Sequence, residues 1–100
     1  MPYEDKLQAL AHPLRQQILL ALRTEPVSVR GLTDRLDASQ PVISQHLKVL
    51  REAGLVSARP EGMKRIYQIE PEGLTQLRRF LESQWTQLLG DLGADDESGA

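Results

Sequence analysis

The sequence contains no cysteine and only two histidines, His12 and His46. The lack of cysteine excludes disulfides, thiolate metal sites and thiol redox sensing together. No stretch approaches the roughly 18 consecutive apolar residues of a membrane span. The start of the chain, MPYEDKLQALAHPL, is acidic and amphipathic, without the basic segment and apolar run of a signal peptide. These absences predict a cytoplasmic protein that does not enter a membrane.

The patterns that usually mark catalysis are also missing. There is no glycine-rich phosphate loop, no metal motif and no grouping of nucleophile, base and acid. Each histidine lies alone in its segment, and a chain without thiolates and with few imidazoles is a poor host for zinc or other transition ions. The sequence therefore predicts a protein that is not an enzyme and has neither a cofactor nor a metal site.

The charge of the chain is unevenly distributed. Its 100 residues carry a net charge of −2, and the last ten hold four acidic residues and no lysine or arginine. Segment 39–79 has seven basic and four acidic side chains, so its net charge is +3. A chain of this size has one core by default, and oligomerisation is a natural supplement. We predict one domain over residues 1–90 and an acidic disordered tail over residues 91–100.

Apolar spacing predicts the order of elements: four helices, a two-stranded β-hairpin and a long final helix, a mainly α (α+β) chain. Pro13 suits the first turn of the second helix, Ser28 caps the third, and Ser39 caps the fourth, which Gly54 ends. The runs LVSARP and KRIYQI, with Glu61–Gly62–Met63 between them, predict the hairpin.

The third and fourth helices, Val29–Leu36 and Gln40–Ala53, are joined by three residues and have helix-turn-helix proportions. At about 100° per residue, Ile43, Leu47 and Leu50 form a narrow apolar face on the fourth helix. The opposite face, between about 100° and 200°, has mainly neutral hydrogen-bonding groups and one lysine. Glutamine and serine can contact base edges, and free N–H groups at a helix start attract phosphate. Alternatively, this polar face of the fourth helix is an ordinary solvated surface that does not bind DNA.

The hairpin favours the DNA-binding interpretation, because Arg59, Lys64 and Arg65 cluster around its tip. Basic side chains there are suited to the sugar–phosphate backbone, while the helix beside them reads base edges. A helix-turn-helix followed directly by a basic hairpin predicts a winged helix. Its fourth helix, residues 40–53, would enter the major groove, and the wing, residues 55–69, would lie on the backbone.

The segments ALAHPLRQQILLAL, SQPVISQHLKVLREAGLV, the hairpin and PEGL together resemble the ArsR/SmtB family of bacterial repressors over nearly all of residues 5–90. The resemblance implies a homodimer that binds double-stranded operator DNA and regulates transcription as a repressor or an autorepressor. The cysteines with which many members sense metals have no counterpart here. The DNA-binding residues that the resemblance and the helix face imply are Ser39, Gln40, Pro41, Ser44, Gln45, His46, Lys48, Arg59, Lys64 and Arg65.

The final helix carries an apolar stripe longer than a domain of this size needs for its own core. With apolar residues of the first helix it predicts a two-fold interface comprising Tyr3, Leu7, Leu10, Leu74, Leu77, Leu81, Trp85 and Leu88. Trp85 could instead line a small-molecule pocket, and the whole chain could be a winged-helix module that binds protein. His46 lies at the margin of the fourth helix, as a partly packed residue or a phosphate donor, and His12 is expected only to start a helix.

Overall fold

The computed structural model describes residues 3–92. Five helices and three strands follow in the order α1 (Glu4–Leu10), α2 (Pro13–Leu22), β1 (Val27–Ser28), α3 (Val29–Arg35), α4 (Gln40–Glu52), β2 (Val56–Glu61), β3 (Lys64–Ile69) and α5 (Pro71–Leu92). The fold is a winged helix-turn-helix, mainly helical, as predicted. Within residues 3–92, no helix is long and apolar enough to cross a membrane.

Polar side chains cap the amino ends of three helices, at the predicted positions. The Ser28 hydroxyl accepts from the Gly31 N–H at 3.0 Å, and the Ser39 hydroxyl accepts from the Val42 N–H at 3.4 Å. His12 caps α2, because its Nδ1 accepts from the Leu14 N–H at 3.1 Å. Each bond satisfies an N–H group that has no partner inside its own helix. His12 is therefore a helix-start residue, as expected.

The core is formed where α2, α3, α4 and the wing meet. Its fully buried side chains are Ile18, Leu32, Ile43, Leu47, Leu50, Leu55 and Val56. The apolar face predicted for α4 is thus confirmed, because all three of its residues are in this set. Burying that face fixes which side of α4 is left for solvent or a partner.

The sheet has three strands, in the order β1-β3-β2, and not the two that the sequence predicted. The added strand, β1, pairs antiparallel with β3 through Val27 opposite Tyr67 and Ser28 opposite Ile66. Two residues are too few to show an alternating pattern, and Ser28 is also the cap of α3, so the sequence carried no strand signal there. The pairing anchors the base of the wing to the helix-turn-helix.

The last helix continues past its predicted end. We predicted the acidic tail after Gly90, over residues 91–100, but α5 extends to Leu92. One glycine costs a helix only about 1 kcal/mol relative to alanine, so it does not by itself end a helix that other residues support. Residues 93–100, the remainder of the predicted acidic tail, lie outside the described residues.

The wing and α5 are held against the end of α4 by a close approach of two glycines. Gly54 has φ +81°, which lets the chain turn out of α4 into β2. A Cβ on Gly73, in the first turn of α5, would overlap the carbonyl oxygen of Gly54. The Glu70 N–H also donates to the carbonyl of Leu55 at 2.9 Å. Together these contacts set where the wing stands relative to α4.

Candidate nucleic-acid interface

The outer face of α4 presents the side chains predicted to read DNA. Ser44, Gln45 and Lys48 are exposed, whereas Ile43 and Leu47 on the opposite face are completely buried. This division follows from the helical period, because residues about half a turn apart point in opposite directions. Serine and glutamine side chains can donate to and accept from base edges without a fixed charge.

The start of α4 is open to an anion. Ser39, Gln40 and Pro41 are all exposed, and the first turn contains no acidic residue. Pro41 lies where its missing N–H costs no helical hydrogen bond. The helix dipole favours negative charge at this end. This end of α4 is therefore electrostatically suited to a phosphate.

The wing places its basic side chains on both faces of the hairpin. Glu61 pairs with Lys64 across a two-residue turn whose first residue, Gly62, has φ +64°. Since opposed residues share a face and successive ones alternate, Arg59 and Lys64 lie on one face and Arg65 on the other. All three side chains are exposed.

Arg59 differs from the other two wing cations because it is held in place. Its Nη1 donates to Gln68 Oε1 at 2.9 Å, and Gln68 Nε2 donates to the Ser57 hydroxyl at 3.3 Å. In the described part of the chain, neither Lys64 nor Arg65 makes a side-chain hydrogen bond or an ion pair. Lys64 and Arg65 can therefore reach an external anion without first breaking an internal bond.

A groove separates the wing tip from the starts of α3 and α4. Its cavity volume is about 570 Å³, and among its lining residues are Gln40, Lys64 and Arg65 from the predicted site. It is also lined by Arg30, an exposed residue of α3 that the sequence analysis missed, and by one acid, Asp34. No pattern in the sequence distinguishes Arg30 from an ordinary solvated arginine, since only the fold brings it opposite the wing.

His46 is turned away from this surface. Its ring is partly buried against α2, where the His12 ring centroid lies 4.4 Å away and Arg15 Nη1 lies 3.2 Å from His46 Nδ1. Burial lowers the pKa of His46, and the nearby His12 and Arg15 lower it further. The two histidines that the sequence analysis treated as isolated are thus neighbours. Within residues 3–92, however, no group of three or more potential metal-ligating side chains is present.

The residues predicted for a two-fold interface fall into two sets. Leu81, Trp85 and Leu88 form an exposed apolar stripe on α5, with 42%, 62% and 47% of their surfaces exposed. The other members are wholly or partly covered by the chain's own packing: Tyr3, Leu7, Leu10, Leu74 and Leu77. Leu77 is only 3% exposed, and the ring of Tyr3 stacks on Phe80 at 4.8 Å.

An apolar groove of about 700 Å³ lies between α2, the end of β3 and the start of α5. Apolar side chains line most of it, and Gln16 and Arg23 add polar groups. Trp85, the residue predicted to line a small-molecule pocket, is not part of it. The lining residues are Leu10, Gln16, Leu19, Leu20, Arg23, Ile69, Pro71 and Leu74.

A helix-turn-helix whose second helix exposes hydrogen-bonding side chains, beside a basic wing, defines a winged-helix DNA-binding protein. Residues 12–58 match the family model described as bacterial regulatory protein, arsR family. The chain is 46% identical over 82 residues to the HTH-type transcriptional regulator Rv2034 of Mycobacterium tuberculosis, covering 82% of this chain and 77% of that one. It belongs to the ArsR family and is a DNA-binding transcriptional regulator, not an enzyme.

Three further comparisons extend this result. The HTH-type transcriptional repressor SmtB of Mycobacterium tuberculosis is 39% identical over 73 residues, which are 73% of this chain but only 54% of SmtB. Among solved structures, one described as a possible transcriptional regulator for arsenical resistance matches with a TM-score of 0.79 and 42% identity, covering 91% and 95% of the two chains. An ArsR-like transcriptional regulator from Rhodococcus sp. RHA1 has a TM-score of 0.80 at 28% identity, covering 97% and 92%.

Proposed function

We propose that this regulator is a homodimeric, sequence-specific repressor that binds operator DNA and does not respond to metal ions. One observation carries the proposal: the exposed polar face of α4 adjoins a groove whose basic residues come from both α3 and the wing. Base contacts supply sequence preference, and phosphate contacts supply most of the non-specific affinity. The surface offers side chains for both.

In this proposal α4 lies in the major groove, with Ser44 and Gln45 reaching base edges. A DNA strand passes between α4 and the wing, where Arg30, Lys64 and Arg65 contact its phosphates. The remaining predicted contacts, Ser39, Gln40, Pro41, Lys48 and Arg59, border the same path. His46 stands apart from this set because its ring faces α2.

The exposed stripe of Leu81, Trp85 and Leu88 supports a homodimer. Three large apolar side chains on one face of a helix are costly to leave in water and are suited to a copy of the same stripe. A two-fold arrangement would place two α4 helices about one DNA turn apart, roughly 34 Å. We propose that the chain up to the end of α5 forms this DNA-binding and dimerisation unit and that the acidic segment after it is a separate tail.

Donor chemistry supports the absence of a metal response. The chain has no thiolate, and one ring nitrogen of each histidine already accepts a hydrogen bond from the protein. A cationic guanidinium beside His46 also disfavours a second cation there. Operator binding should therefore be unchanged by zinc, nickel or chelator at concentrations that do not precipitate the protein.

The decisive experiment is fluorescence anisotropy with DNA from upstream of the protein's own coding sequence and with a scrambled duplex. Gln45→Ala should reduce the preference for the operator, because a good bidentate base contact is worth about 1–3 kcal/mol. Gln87→Ala, an exposed glutamine on α5, is the matched control and should bind as the wild type does. Equal affinity of the wild type for both duplexes would reject sequence-specific binding. A stable protein complex without any DNA binding would favour a protein-interaction module.

A second candidate function, repression controlled by a small molecule, is favoured by the apolar groove between α2 and α5. Its volume lies within the usual range of ligand pockets, about 300–1,000 Å³. It borders the end of β3, so an occupant would contact the base of the wing. Decanoate and uncharged decanol are suitable probes. Saturable binding that releases operator DNA would support this version, and binding without an effect on DNA would not.

A further inference from the structure

Arg15 joins two helices other than its own. Its Nε donates to the Ala9 carbonyl at 2.6 Å and its Nη2 donates to the Gln8 carbonyl at 3.1 Å. Both carbonyls belong to the last turn of α1, which has no basic residue of its own. A cation at the carboxyl end of a helix hydrogen-bonds to its last carbonyls and opposes the helix dipole. Arg15 therefore fixes the end of α1 against α2.

The third contact of Arg15 reaches α4. Its Nη1 lies 3.2 Å from His46 Nδ1. A guanidinium can only donate, so His46 Nδ1 accepts, and the proton of the neutral ring is on Nε2. His46 directly follows Gln45 and precedes the buried Leu47, which places this contact at the middle of α4. One side chain thus connects α1, α2 and the helix that carries the DNA-reading face.

We propose that Arg15 is a positioning residue for DNA binding: through His46, it ties α4 to the carboxyl end of α1. The inference rests on the proposed function of α4. The reading helix must enter the major groove at one angle. At the other end of the link, the ring of Tyr3, the residue before α1, stacks on Phe80 of α5, the helix that carries the proposed two-fold contact. A link between them transmits the geometry of the dimer to the helices that contact DNA.

The link requires neutral His46. Protonation removes the Nδ1 lone pair that Arg15 uses and places a second positive charge beside the guanidinium. The groups that face His46 are His12, the cap of α2, and Arg15 of α2. Asp5 of α1 and Glu52 of α4 border a cleft next to Arg15, but neither forms an ion pair with it in the described part of the chain. Acidification should therefore weaken the link.

The test compares operator affinity at pH 7.5 and 5.5 for the wild type, R15A, R15K and H46N. Circular dichroism first shows that each variant is folded at the temperature used. R15A should weaken operator binding on the order of tenfold, within the range of typical coupling between sites. R15K should recover little of this, because one ammonium group cannot span three acceptors. R23A removes an exposed arginine at the C-cap of α2 and is the matched charge control.

The pH profile separates positioning from a general loss of stability. Asparagine keeps an acceptor near the position of Nδ1 but does not titrate, so H46N should bind like the wild type at pH 7.5. Between pH 7.5 and 5.5 the wild type should lose affinity relative to H46N. Nitrogen NMR of the imidazole should show the Nε2–H tautomer in the wild type and a mixture of tautomers in R15A.

Two results would overturn the inference: R15A binding within about twofold of the wild type, or a wild type that gains affinity relative to H46N on acidification. The second would show that protonated His46 contacts a phosphate. If R15A did not fold, the inference would still be tested by comparing how the operator affinities of the wild type and H46N change between pH 7.5 and 5.5. Failure of the wild type to bind any operator would reject the proposed function itself, and this inference with it.

Discussion

Arg15 and His46 are 31 positions apart in the sequence, yet Nη1 of the arginine lies 3.2 Å from Nδ1 of the histidine. The contact joins the start of α2 to the middle of α4, on the side away from the face that is proposed to read DNA. It gives a partly buried imidazole a partner and determines which of its nitrogens carries the proton. The charge state of His46 should therefore influence the stability of the whole domain.

Lowering the pH should destabilise the wild type more than H46N. The pKa of His46 in the folded protein is lowered from 6.5. Below that pH the unfolded chain binds a proton that the folded chain resists, so the free energy of unfolding falls as the pH falls. Urea denaturation at pH 7.5, 6.5 and 5.5 measures this. The two proteins should diverge below pH 6.5, and parallel curves would show that His46 has the same pKa folded and unfolded.

Removing a cation from the groove should change the salt dependence of DNA binding. Each phosphate contact contributes about 0.9 to the slope of log affinity against log salt concentration. R30Q and R65Q should each reduce the slope by about 1 and weaken binding to all sequences similarly. The control is R79Q, which removes an exposed arginine on α5. If R79Q lowered the slope as much as R30Q does, the effect would reflect net charge and not a contact in the groove.

Placing a charge in the exposed stripe of α5 should dissociate the proposed dimer. W85E introduces a carboxylate where 62% of the tryptophan surface is exposed in the single chain. Loss of an aromatic residue at the centre of an interface commonly costs about 2 kcal/mol or more. Sedimentation equilibrium should show a shift toward monomer. The control is M63E, at the fully exposed wing tip, which should leave the oligomeric state unchanged. If both variants remained dimers, the interface would not be the stripe on α5.

Substituting alanine for Gly73 should destabilise the fold by about 1–3 kcal/mol, the range typical of overpacking. The added methyl would overlap the backbone of Gly54, which has no flexible side chain to move aside. Gly90→Ala is the matched control, because apart from its chain neighbours and the surrounding helix backbone nothing lies within 4 Å of a Cβ built there. It should be neutral or stabilise α5 by up to about 1 kcal/mol. Similar thermal midpoints for the two variants would show that the α4–α5 contact can relax.

Much of the fold could be predicted from local patterns. The caps at Ser28 and Ser39, the buried face of α4 and the hairpin around Gly62 all depend on residues a few positions apart, and the structure confirms them. The strand β1 could not be predicted in this way. Val27–Ser28 becomes a strand only because Ile66 and Tyr67 lie beside it, and a two-residue segment has no periodicity of its own.

The candidate site shows the same division. Residue type and helical period placed Ser44, Gln45 and Lys48 on one exposed face. The contribution of Arg30 depends on how α3 packs against the wing, which no single segment of the sequence reports.

The sequence by itself determined the class of protein, because a helix-turn-helix followed by a basic hairpin can be recognised from the spacing and charge of residues close together in the chain. Only the tertiary structure decided which distant side chains meet. It placed His12 and Arg15 against His46, and Gly73 against Gly54. These contacts depend on how helices pack, and packing follows from the burial of many side chains at once and not from any local pattern.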